Sequence, residues 1–333
     1  MYTVSSGHTN GRGISLGANS VVESCVTDSN GDRGISVGDD SVVNESSARG
    51  NTNWGIVTGR GSSISGSTAS GTQRGSSGDG VGIFLGAYAT ARGCTARNNV
   101  NVGIEASVTG GVAIDGCTAA SNGSTGMAVG NGGMIRNSIA RSNGFQGISL
   151  GGSSVAVGCV ASLNDDDGFA IATGATARDC SSDNNGRVNT ADGFDIAEAG
   201  VVLDSTSTDN SGDGFNLTTG ATVRGSLAHS NDDNGFELAS GCVVSHNNSA
   251  ENGNHGFSAT GTGSRIMDNI ARSNSGYGFF IPLIGSGFHL VGRNNTQSDN
   301  YNSDPGGNYH GEIQNGIPPS NPLSDDPFVN VDA

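Results

Sequence analysis

The chain contains no lysine: all 15 of its basic residues are arginine, against 31 acids of which 24 are aspartate. With a net charge of −16 it offers no basic face for phosphates, which argues against a nucleic-acid partner. Aromatic residues make up 5% and hydrophobic residues 33% of the 333 positions, so small side chains must close much of the interior. No run of about 18 apolar residues occurs, so no membrane-spanning helix is expected. The opening "MYTVSSGHTNGRG" lacks both the basic region and the apolar segment of an export signal. Proline is scarce, and five of the six fall after residue 304. The six cysteines show no CxxC or Cys/His zinc spacing.

What the chain has is glycine, 57 residues of it, in a pattern. The step Gly-[Ile/Phe/Met]-x-[aliphatic or small] places anchors at Gly13, Gly34, Gly55, Gly82, Gly103, Gly126, Gly147, Gly168, Gly193, Gly214, Gly235, Gly256 and Gly278. Eight of the twelve intervals are 21 residues, the others 22, 23, 25 and 27, which is the signature of a stacked repeat. A leucine-rich repeat has a similar period but needs several leucines per unit, and leucine is scarce here. Short period-2 segments between Gly, Asn, Asp and Ser clusters predict three short strands per unit. The expected fold is all-β, a parallel β-helix (solenoid) of about 13 coils, one per anchor.

Twelve residues past most anchors runs a small-residue column that includes Cys25, Ser46, Ser67, Cys94, Cys117, Ser138, Cys159 and Cys180, followed two residues later by Ala or Ser. Strand alternation puts both inside and turns the residue between them (Thr95, Ile139, Val160, Ile270) outward. Five of the six cysteines thus lie in a packing column, where in-register stacking does not supply disulfide geometry, so reduced buried thiols are expected. Four residues before most anchors stands asparagine (Asn30, Asn51, Asn99, Asn122, Asn143, Asn164, Asn210, Asn231, Asn252, Asn274), a turn residue whose amides can bond from coil to coil.

These features resemble the pectate-lyase-like superfamily of right-handed parallel β-helices, over residues 13–295. Residues 1–12 read as an incomplete first coil without a cap, so that upstream chain or a partner is expected to cover it. Residues 296–333 read as a C-terminal tail or cap. The insertions "SGTQRGSSGDG" and "NNGRVNTADG" are expected as loops on one face.

Chemistry is expected at the position just before the anchors. Asp167, Asp192 and Asp213 occupy it in three successive coils, followed by Asn234 and His255. Carboxylates one coil apart, about 4.8 Å, would repel by about 3 kcal/mol at an effective dielectric of about 20. A cation, a shared proton or splayed side chains must relieve this. Ca2+ held by Asp167, Asp192, Asp213 and Asp233 is one expectation, because oxygen-rich sites suit that ion. Asp192, Asp195, Asp213 and His255 are the catalytic candidates, and Asn216, Asn234, Glu237 and Arg265 the substrate-binding ones. The outward arginines Arg49, Arg97, Arg141 and Arg272 with His229 could grip a carboxylate, and Trp54 and Tyr277 could stack on a sugar ring.

Local motifs point the same way. "DGFDIAEAG" resembles the YGFDPH motif of mannuronan C5-epimerase catalytic modules, with Asp195 at the motif's acid, although Asp192 replaces its Tyr, Ala197 its His, and Asn254 an expected arginine. "NTADG", Asp232-Asp233, His255-Gly256 and "RIM" at Arg265 more faintly resemble polygalacturonase motifs. The resemblance implies an extracellular or cell-surface polysaccharide-active protein, foremost a lyase or C5-epimerase of a uronic-acid polymer. A galacturonase-like hydrolase and a non-catalytic glycan-binding adhesin are the alternatives.

Overall fold

The computed structural model describes residues 11–75, 80–106, 110–188 and 190–281, with residues 7, 290 and 291 and a few short backbone strands at the two ends. It divides into two compact units, Met1–Ala170 and Ile171–Ala333. Each unit is a parallel solenoid whose coils contribute one short strand to each of three sheets, with no helix among the described residues. The strand that follows the anchor glycine buries its two ends, as in Phe194–Ile196, whereas the other two bury only their middle residue, as in Val201–Leu203 and Thr206–Thr208. A slim interior results, and it needs little apolar bulk.

The N-terminal unit fills that interior with Ile35, Ile56, Ile83, Ile104 and Ile148 beside fully buried Ala48, Ala69, Ala96, Ala119 and Ala140, which are stacked in register. The C-terminal unit puts phenylalanine in the isoleucine column. Phe194, Phe215, Phe236, Phe257 and Phe279 stack with centroids 4.7–4.9 Å apart and planes within 7°. The ring spacing equals the strand spacing, so parallel register and aromatic stacking reinforce each other.

Close approach explains the anchors. A Cβ on Gly147 would lie 2.7 Å from the Gly168 carbonyl oxygen and 2.8 Å from the Ala161 methyl. All six cysteines are buried free thiols. The Cys159 thiol donates toward the Val157 and Ile135 carbonyls at 3.4 and 3.5 Å, and the same column carries serine one coil earlier, at Ser138. Cys159→Leu is therefore expected to destabilise by about 1–3 kcal/mol through overpacking, while Cys159→Ser stays near neutral. Chemical denaturation of the two variants checks this.

The asparagine column forms a hydrogen-bond ladder in each unit, interrupted in the N-terminal one by Thr72 between Asn51 and Asn99. Asn122 Nδ2 donates to Asn143 Oδ1 (2.9 Å) and Asn143 Nδ2 to Asn164 Oδ1 (2.9 Å). Asn210, Asn231, Asn252 and Asn274 repeat the arrangement. The ladder also takes in Asn185, which donates to Asn210 Oδ1 at 3.0 Å and which an insertion displaces from the four-residue spacing. Parallel pairing persists at Tyr301–Ser303 against Phe279–Ile281. The boundary expected at residue 295, most of the tail, the loop tip 76–79 and parts of the first dozen residues, with the cap expected there, lie outside the described residues.

Candidate active site

The anchor strands Phe194–Ile196, Phe215–Leu217, Phe236–Leu238, Phe257–Ala259 and Phe279–Ile281 pair in register in the C-terminal unit. Their middle residues, Asp195, Asn216, Glu237, Ser258 and Phe280, form one column. Three positions earlier run Asp192, Asp213, Asn234, His255 and Tyr277. The phenylalanine stack behind the anchors holds this double column rigid.

A side-chain ladder joins the second column. Asp192 Oδ1 accepts the Asp213 N–H (2.8 Å), Asp213 Oδ1 the Asn234 N–H (2.9 Å), Asn234 Oδ1 the His255 N–H (3.1 Å) and His255 Nδ1 the Tyr277 N–H (2.9 Å). Each rung needs an acceptor, and Asp, Asn and unprotonated imidazole all supply one. Its polarity is opposite to that of the asparagine ladder, where a side chain accepts from the coil before it. Glycine precedes two of the rungs because a Cβ there would meet the acceptor: Gly212 faces Asp192 Oδ1 at 2.6 Å, and Gly276 faces His255 Nδ1 at 2.5 Å.

Burial sets the proton states. Asp213 is pushed up to about 8, first by loss of hydration and then by the charge of Asp192, with Asp233 and Glu237 adding to it. Asp192 rises less, to about 6, again mainly by burial, because hydrogen bonds from the Asp213 backbone and the Asn216 side chain stabilise its ionised form. Glu237 is raised by burial and accepts from Asn234 Nδ2 (3.2 Å) and Thr260 Oγ1 (2.7 Å). At neutral pH Asp213 thus carries a proton and Asp192 does not. The column's repulsion is relieved by a proton and by backbone N–H groups.

His255 is lowered by burial and is therefore neutral at neutral pH. Since Nδ1 accepts the Tyr277 N–H, the ring proton sits on Nε2 and the imidazole is a donor. As a catalytic candidate His255 can therefore donate through Nε2, and a general-base role does not fit this tautomer. The ring stacks on Phe280 (centroids 4.5 Å) and on Tyr277 (5.4 Å), which ties it to its coil neighbours.

The structure brings Asp192, Asp195, Asp213, Asn216, Asn234, Glu237 and His255 onto one face. Asp233 adjoins them and accepts from Asn254 Nδ2 at 2.9 Å. Arg265 is not part of that face. It is exposed on Arg265–Met267, which pairs with Val243–Ser245 in another sheet. Arg49, Arg97, Arg141, Arg272 and His229 likewise end strands of the alanine sheet. Asp167 belongs to the N-terminal unit, and Asp192, Asp213 and Asp233 to the C-terminal one. Among the described residues no group of three or more His, Cys, Asp or Glu is arranged to hold a metal ion. One oxygen each of Asp192 and Asp213 is also engaged by a backbone N–H. The residues as placed do not form a Ca2+ cage. Titration calorimetry with CaCl2 is expected to give equal heats for wild type and Asp192→Asn/Asp213→Asn. A site lost in the variant would show that the carboxylates regroup around the ion.

The family profile described as the right-handed β-helix region matches residues 57–185. In solved structures the chain is similar to the A-module of the Azotobacter vinelandii mannuronan C-5 epimerase AlgE4. The identity is 15%, over 85% of this chain and 91% of that one, with a TM-score of 0.61. It is also similar to the periplasmic alginate epimerase AlgG (11% identity, 75% of each chain, TM-score 0.58). A third likeness is to the catalytic domain of a GH87 α-1,3-glucanase (11% identity, 92% of this chain and 64% of that one, TM-score 0.54). No match was found among curated protein sequences. The protein is a right-handed parallel β-helix protein. The fold it shares with these structures is the right-handed parallel β-helix.

Proposed function

We propose that this is a polysaccharide-active β-helix protein that carries out proton-transfer chemistry at C5 of a uronic-acid polymer, as a C5-epimerase or a lyase. One observation carries the reading: two carboxyl groups on adjacent coils of a rigid sheet, Asp213 protonated and Asp192 ionised at neutral pH. Pairs whose environments drive their pKa values apart are the usual mark of an acid and a base. The fold likeness to two alginate epimerases agrees with this but rests on the fold alone.

The C5 proton of a uronate is acidic only if charge building on the adjacent carboxylate is stabilised. The His255 Nε2–H is a neutral donor suited to that task. Ionised Asp192 takes the C5 proton. Asp213 then gives its proton to the glycosidic oxygen, completing β-elimination, or to C5 once the ring has turned its other face toward the acid, completing epimerisation. Either way Asp192 ends protonated and Asp213 ionised, and exchange with water restores both. Asp195, Asn216 and Glu237 line the face on which the sugar would rest. A polymer substrate of this kind favours an extracellular or cell-surface site of action.

A second reading has its own support. The charges acting on the pair are those of Asp195, Asp233 and Glu237, which suit an uncharged sugar better than a polyuronate. The same acid and base would then hydrolyse a neutral glycan, with Asp192 activating water. Incubation in deuterated water with polymannuronate, polygalacturonate and neutral glucans separates the cases. Epimerisation leaves deuterium at C5, elimination leaves unsaturated ends, and hydrolysis leaves saturated new ends. The C5 reading predicts one of the first two on a polyuronate. No reaction on any of them would leave a glycan-binding module.

A further inference from the structure

We propose that the N-terminal unit carries a second glycan site, a carboxylate-binding subsite built from Arg33, Trp54 and Arg12. In the first three coils of this unit the position before the anchor glycines is occupied by Arg12, Arg33 and Trp54, where the C-terminal unit begins with Asp192 and Asp213. Of the described arginines Arg33 alone is half-buried, and all the others are exposed. Its guanidinium lies 4.6 Å over the Trp54 ring on the paired strand, with Nη1 directed at Ser36 Oγ (3.3 Å). Its Nε is hidden and has no hydrogen-bond partner among the described residues.

In a chain with 31 acids this arginine makes no ion pair among the described residues. Asp32 beside it in sequence is engaged elsewhere: Oδ2 pairs with Arg12 Nε (3.1 Å) and Oδ1 accepts from Asn53 Nδ2 (3.0 Å). Arg12 repeats the posture one coil earlier, with Nη1 on Ser15 Oγ at 3.3 Å. Two arginines in adjacent coils repel each other just as the acids do. Taking one of them partly out of water costs further free energy, which its cation–π contact with the indole offsets in part. The arrangement suits a planar oxyanion, because a fixed guanidinium fork loses little entropy on binding a carboxylate. A uronate residue supplies that carboxylate, and its pyranose ring has apolar C–H faces that can rest against indole.

The proposal takes its substrate class from the preceding section but is independent of the chemistry there. Trp54 is the single tryptophan of the chain, so intrinsic fluorescence reports on this site directly. The probes are oligogalacturonate, oligomannuronate, a neutral glucan oligomer of equal length and the O-sulfated form of that oligomer. A saturable change with an oligouronate is expected, weakened at least about tenfold by Arg33→Gln, the scale of a charge-assisted hydrogen bond. Arg33→Lys should recover only part of the affinity. Circular dichroism and melting curves confirm that the variants fold. Asp192→Asn/Asp213→Asn should keep the full Trp54 response, so the outcome does not depend on the catalytic reading. The proposal is overturned by no response to either oligouronate, by an equal response to the neutral oligomer, or by an unchanged affinity in Arg33→Gln. A stronger response to the sulfated oligomer would overturn the carboxylate assignment.

Discussion

Asp213→Asn is expected to abolish most turnover while making the protein more stable at alkaline pH. The amide keeps the acceptor that the Asn234 N–H requires, as Asn234 itself does for His255, so the ladder survives. What is lost is the transferable proton, and a fall of at least about a hundredfold in kcat is the scale for removing a general acid. Wild-type activity should have an acid limb near the Asp192 value of about 6 and an alkaline limb near the Asp213 value of about 8.

The stability effect has the opposite sign to that of a salt-bridged aspartate. The folded-state pKa of Asp213 lies above its ordinary 3.8, so the folded chain holds the proton more tightly than the unfolded chain does. Its contribution is fully present below the ordinary value and is lost as pH rises through about 8. Asp192 adds a smaller loss of the same sign, complete near 6. At about 1.4 kcal/mol per pKa unit, the two shifts together amount to on the order of 10 kcal/mol at alkaline pH as an upper bound. Asp192→Asn/Asp213→Asn should therefore melt above wild type at alkaline pH, and the gap should close toward pH 4. Parallel melting curves across that range would contradict the buried, proton-shifted pair.

Asn143→Ala is expected to be the most damaging single truncation in the N-terminal unit. Its Oδ1 accepts from both the backbone N–H (3.1 Å) and the Nδ2 (2.9 Å) of Asn122. Its Nδ2 donates to Asn164 Oδ1 (2.9 Å) and the Ala119 carbonyl (3.3 Å). Removing the amide orphans donors and acceptors on both neighbouring coils where no water reaches, each at about 1–3 kcal/mol. A loss of at least about 3 kcal/mol follows, and propagation along the ladder would add to it. Urea denaturation measures it. A loss under about 1 kcal/mol would mean that the amides fill space without bearing on stability.

The solenoid could be read from the chain because its constraints are local and repeated. A coil has no room for a Cβ where the next coil's carbonyl approaches, so glycine recurs. Strand alternation then assigns the columns around it. The cysteine, alanine and asparagine columns follow from that periodicity alone. So does the gathering of acids before Gly193 and Gly214. Where an insertion breaks the count, the reading broke too, as at Asn185, whose place in the ladder only the fold shows.

What the tertiary structure decided is how those side chains are used. The sequence placed His255 in the acidic column but could not show that the next coil's N–H occupies Nδ1 and leaves the ring a donor. Nor could it separate Asp192 from Asp213, because their proton states depend on burial and on carboxylates from other coils. Arg265 falls within a plausible motif yet lies on another sheet, whereas the contact of Arg33 with Trp54 exists only once their coils are stacked. Periodicity is a property of the backbone, which the chain specifies residue by residue. Hydration, charge and hydrogen-bond direction belong to pairs of residues about 21 positions apart, and they acquire values only when one coil lies on the next.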